Sequence, residues 1–163
     1  MKKVAFKGLF LAVALLLSYV ESLIPFGFGI PGIKLGLANL AVVLCMYSFG
    51  AKDALVLNIT RIVLSGFLFG NLYSILYGMA GGMLSFLIMY ISKKSGAFSI
   101  KGVSALGGIS HNIGQIAVAY FVVRTAGVFY YIPWLLLSGV LTGFLIGCTA
   151  KLMFPYLKKI VRL

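Results

Sequence analysis

Six long apolar runs divide the chain, at roughly 7–24, 35–50, 53–69, 72–91, 103–124 and 133–153, and nearly every basic residue falls near or beyond their ends. Each run has about the length that a helix rising 1.5 Å per residue needs to cross a hydrocarbon core, although the second and third are short for it. The pattern therefore predicts an all-α, polytopic membrane protein with six transmembrane helices. The connections are too short to hold a soluble domain. Residues 1–163 are read as a single transmembrane domain.

Charge placement sets the expected orientation. Lys2, Lys3, Lys7, Lys52, Lys93, Lys94, Lys101, Lys151, Lys158, Lys159 and Arg162 fall on one side when the spans alternate. Lys34 and Arg124 fall on the other side, and Arg61 lies within a span. The positive-inside rule then places both termini in the cytoplasm of a cell-membrane protein. A first helix that is retained, rather than cleaved as a signal peptide, is expected because no small-residue cleavage site follows its apolar run.

Composition agrees. Hydrophobic residues make up 62% of the chain, mean hydropathy is +1.13, and only two residues are acidic. Such a chain cannot cover its apolar surface with a solvated shell. The net charge of +12 does not make it a nucleic-acid binder, because the lysines flank spans instead of forming one basic face. Anionic membrane lipid is the expected partner for Lys158, Lys159 and Arg162. Cys45 and Cys148 lie within spans without metal-ligand spacing, which points to packing.

Two local patterns are set aside. Gly27, Gly29 and Gly32 match a dinucleotide fingerprint, but they sit between two spans, without the strand and crossover helix that this motif requires. Residues 58–60 fit a glycosylation acceptor in mid-helix. No metal site and no cofactor are implied.

Candidate chemistry resides in the polar groups inside the spans: Glu21, Asn39, Asn58, Arg61, His111, Asn112, Gln115 and Arg124. Polar and charged residues at membrane depth face the bundle interior and mark functional sites. Arg61 and His111 lie at similar depth by helical rise, and Asn58, Arg61 and Ser65 share one helix face. Arg61 has two candidate roles, an internal tie to Glu21 or to helix carbonyls, or a ligand contact in a cavity open to the outside. With Lys34 and Arg124 on the same side, that cavity would be electropositive and would favour an anionic or phosphorylated solute. For His111, Asn112 and Gln115, helix-to-helix hydrogen bonding and ligand binding both fit. Glycine ridges at Gly139, Gly143 and Gly147, at Gly66 and Gly70, and at Gly78 and Gly82 predict close helix packing or a protein partner. Gly8 with Ala12 forms a weaker ridge.

Residues 31–39 (PGIKLGLAN), 58–66 (NITRIVLSG) and 102–115 (GVSALGGISHNIGQ) resemble the family labelled heptaprenyl diphosphate synthase component I, also called the Gx transporter family. That family is in turn similar to the substrate-binding S components of energy-coupling-factor vitamin transporters. The resemblance implies an S-component-like six-helix bundle with a cap at residues 25–34. It implies a small-molecule substrate held by Glu21, Lys34, Asn39, Arg61, His111, Asn112 and Gln115. It also implies an energy-coupling module, a transmembrane coupling subunit plus ATPases, that would dock at Gly8 and Ala12. The synthase label implies no catalysis by this chain alone, because prenyl elongation needs clustered carboxylates for Mg²⁺ and only Glu21 and Asp53 are present. The alternative is a non-catalytic membrane accessory subunit in polyprenyl diphosphate or quinone metabolism, or in flavin-linked electron transfer.

Overall fold

The computed structural model describes residues 2–23, 36–124 and 126–161. Lys34 and the expected cap at residues 25–34 lie outside them. Among the described residues there are six α-helices: α1 (Lys2–Leu23), α2 (Leu37–Ser48), α3 (Ala51–Phe69), α4 (Leu72–Ser95), α5 (Ile100–Val123) and α6 (Ile132–Val161). A 3₁₀ turn at Ala126–Tyr131 leads into α6.

Most of these helices run past the apolar segments that predict them. α4 ends with Lys93 and Lys94 in its last turn, and α6 ends with Lys158 and Lys159. Apolarity stops where lipid stops, but a helix continues into water while its backbone hydrogen bonds hold, and lysines near the C-terminus favour the helix dipole. Among the described residues, three segments are long and apolar enough to cross a membrane: Val4–Leu23, Leu72–Ser95 and Gly127–Ile160. α3 and α5 are long enough, but they carry the polar residues singled out above.

α2 is the exception. Its 12 residues rise only about 18 Å, well short of the roughly 30 Å of a hydrocarbon core. It forms the protein core instead, with Ala41, Val42, Val43, Leu44, Cys45 and Met46 all buried. The helices close into a ring in the order α2, α3, α4, α5, α6 and back to α2, and α1 packs across α2 and α3. Outward-facing positions are apolar: Phe67 and Phe121 are each 75% exposed. That inverted surface suits a hydrocarbon solvent.

Glycines set the closest approaches. A β-carbon on Gly143 would lie 2.6 Å from the carbonyl oxygen of Ser104, and one on Gly147 would lie 2.6 Å from the Cα of Lys101. The Gly139, Gly143 and Gly147 ridge of α6 is therefore filled by the backbone of α5. The other ridges also pack within the chain, Gly66 against Ile75 and Gly82 against Ile62 and Asn58. Gly8 differs, because a β-carbon there would meet nothing within 4 Å.

Candidate functional site

The site begins at two helix ends. Gly36, with φ of 70°, occupies the left-handed region at the N-cap of α2, a conformation that glycine adopts at no steric cost. Its N–H donates to Glu21 Oε1 at 2.5 Å, so the last turn of α1 is tied to the start of α2. A carboxylate at a helix N-terminus also interacts favourably with the helix dipole.

One turn into α2, Asn39 presents its side-chain oxygen to Arg61 in the middle of α3. Arg61 Nη2 donates to Asn39 Oδ1 at 2.8 Å and to Asn58 Oδ1 at 2.9 Å. Asn58 is fixed in turn, donating through Nδ2 to the carbonyl of Gly82 in α4 at 3.0 Å. That bond requires α4 to come close, and Gly82 allows it: a β-carbon there would lie 3.2 Å from Asn58 Nδ2. Arg61 is 8% exposed, and its described hydrogen bonds go to neutral amide oxygens. The guanidinium is thus oriented by α2 and α3, and the Glu21 carboxylate acts on its charge.

Glu21, Gly36, Asn39 and Arg61 line a cavity of about 300 Å³, together with His111 of α5 and Ser18, Ser22, Ser65 and Ser74. Gly66, Gly70 and Gly78 make up much of the rest of its wall. A guanidinium, an imidazole, an amide and four hydroxyls around one space can hydrogen-bond a small polar solute from several directions. A second cavity of about 20 Å³ shares Gly36, Asn39 and His111 with the first, and reaches Asn112, Ser85, Ser104 and Thr142 between α4, α5 and α6. It has room for about one water molecule.

Of the residues expected from the sequence, the structure brings Glu21, Asn39, Arg61 and His111 to the larger cavity. Asn112 lines only the smaller one. Its Nδ2 donates to the Leu135 carbonyl at 2.6 Å, which ties α5 to α6. Gln115, 3% exposed, lines neither cavity and lies against α4, with its Cγ 3.0 Å from where a β-carbon of Gly81 would be. Lys34 lies outside the described residues. Arg124 does not line the cavity: it ends α5 in an exposed left-handed cap with φ of 52°. Gly8 and Ala12 are exposed on α1, away from the cavity.

Reading the sequence for costly charged and amide groups passes over Ser18, Ser22 and Ser74. A serine in a membrane helix satisfies its hydroxyl on a nearby backbone carbonyl, as Ser22 does on Tyr19, so it gives no signal by itself. For Ser18 a usable clue was present, since it lies three residues before Glu21 on the same helix face.

The model of the family described as heptaprenyl diphosphate synthase component I matches residues 10–153. No curated protein and no solved structure matches the chain.

Proposed function

The chain belongs to the heptaprenyl diphosphate synthase component I family, and on that footing we propose that it is a six-helix membrane protein that captures a small anionic solute in the cavity around Arg61. Both termini lie in the cytoplasm, the cavity faces outward, and the bundle acts in the manner of an S component. A separate energy-coupling module supplies the driving force for uptake. The observation that carries this reading is Arg61 itself. Its charge is buried and aimed by Asn39 and Asn58 at a cavity of about 300 Å³ rich in hydrogen-bond donors. A protein that needed only to tie helices together could do so with neutral amides, as Asn112 does, without the several kcal/mol cost of burying a charge.

Catalysis of prenyl elongation is not part of this function. Asp53 accepts from Lys7 Nζ at 2.7 Å near the start of α1, whereas Glu21 lies in its last turn. Fourteen residues of helix separate Lys7 from Glu21, or about 21 Å at helical rise. The two carboxylates therefore cannot share the Mg²⁺ ions that bind an allylic diphosphate. The synthase label describes an accessory component on this reading.

Thermal melts of the purified protein with a panel of phosphorylated and carboxylated metabolites, paired with native mass spectrometry for co-purifying solutes, test the proposal. An anionic compound should raise the melting temperature and appear as a bound mass, and Arg61→Gln should weaken its binding about thirtyfold or more. Undiminished binding in Arg61→Gln, or stabilisation by cations alone, overturns it.

A further inference from the structure

A second concave surface lies at the opposite end of α5, where that helix begins beside the last third of α6. It is a groove of about 680 Å³ lined by Lys101, Lys151 and Lys159, with Leu152, Pro155 and Tyr156 among its apolar walls. Its shape follows from the glycine ridge. At Gly147 the backbone of α6 comes so close to Lys101 Cα that the lysine side chain must leave sideways across the face of α6. Its ammonium lies 5.4 Å from the centroid of the Phe144 ring. Pro155 sits inside α6 and cannot donate a backbone N–H to the preceding turn.

Three ammonium groups around one groove repel one another, and the chain has no carboxylate for them. It holds two acidic residues in all. Asp53 is bonded to Lys7, and Glu21 is bonded to Gly36 at the cavity described above. Neither of these side-chain carboxylates lines the groove, which leaves it open to an anion from outside the chain.

The surface beside the groove indicates what carries it. Leu141, Leu145, Cys148 and Leu152 follow at helical spacing on α6, and the three leucines are 56%, 65% and 71% exposed. An apolar stripe therefore leads from the basic groove along a helix that is apolar enough to cross a membrane. We propose that this groove seats the phosphate headgroup of an anionic membrane lipid, with its acyl chains lying along the leucine stripe of α6. Phosphate accepts hydrogen bonds from the three lysines, and the stripe covers hydrocarbon that a free phosphate ion would leave bare. The proposal rests on the membrane reading of α6 and is independent of what the Arg61 cavity holds.

Native mass spectrometry of the detergent-solubilised full chain, titrated with phosphatidylglycerol, phosphatidylcholine or inorganic phosphate, tests it without any transported solute. The wild type should bind one phosphatidylglycerol far more tightly than phosphatidylcholine. The triple variant Lys101→Gln, Lys151→Gln, Lys159→Gln should lose on the order of a hundredfold in affinity, if each lysine contributes as a basic residue near an anionic surface does. A variant with Lys52, Lys94 and Arg124 changed to Gln, all exposed and outside the groove, removes the same charge elsewhere and should keep the bound lipid. Should the triple variant fail to fold, Lys151→Gln and Lys159→Gln, both at exposed positions, should each weaken phosphatidylglycerol about fivefold. Equal loss in the control variant, unchanged affinity in the groove variants, or displacement of the lipid by millimolar inorganic phosphate overturns the proposal.

Discussion

Arg61→Gln separates a ligand contact from an internal tie. Glutamine keeps most of the length and can still donate to one of the two asparagine oxygens that Arg61 contacts at 2.8 and 2.9 Å. Losing a charged hydrogen bond costs about 1.5–3 kcal/mol, whereas removing a buried charge returns a desolvation penalty of several kcal/mol. These terms oppose each other, so the ligand-free melting temperature should move by no more than about 5 °C in either direction. A bound anion would lose its buried charged partner, a deficit of about 2–5 kcal/mol, which weakens binding by thirtyfold or more. An internal tie to Glu21 predicts the reverse pattern. The orphaned carboxylate would cost about 3–5 kcal/mol, lowering the melting temperature by roughly 10 °C, and Glu21→Gln would restore much of it. Glu21→Gln suits this cycle because the amide oxygen can still accept from the Gly36 N–H. Melts of both single mutants and the double mutant, with and without the stabilising anion, decide the matter. A large ligand-free loss in Arg61→Gln that Glu21→Gln rescues would remove the ligand role.

Three further outcomes are expected. In a Cys148→Ser background, Asn71→Cys should react with an impermeant thiol reagent on intact cells and Ala97→Cys should not, because the lysines flank the spans asymmetrically; the opposite labelling would invert the bundle. Purified protein given allylic and homoallylic diphosphates with Mg²⁺ should form no longer prenyl product by chromatographic assay, and elongation by this chain alone would disprove the accessory reading. Gly143→Leu should lower the melting temperature by well over 10 °C, since its side chain would meet the Ser104 carbonyl and the Ala105 backbone, whereas Gly8→Leu, with nothing within 4 Å of the added carbon, should leave it within about 2 °C.

The cavity is partly legible in the sequence. A charge inside an apolar helix is costly enough to stand out, so Arg61, Glu21, Asn39 and His111 could be singled out from sequence and do meet around one space. Gln115 was singled out by the same logic and lies elsewhere, because helical spacing fixes which residues share a face but not which neighbour that face meets. Ser22 gives no comparable signal, since a hydroxyl satisfied by a carbonyl of its own helix is cheap in a membrane.

Hydropathy and lysine placement by themselves determined the helical class and approximate helix positions, because burying unpaired backbone groups in an apolar phase leaves few alternatives to helices. Tertiary structure decided the rest. It showed that the second apolar run is a short core helix, since an apolar run reads alike whether it faces lipid or protein. It also settled how the glycine ridges pair: Gly139, Gly143 and Gly147 meet α5, while among the described residues a β-carbon on Gly8 would meet nothing within 4 Å. A small-residue ridge encodes only that some backbone can come close, and which one arrives depends on how the whole bundle closes.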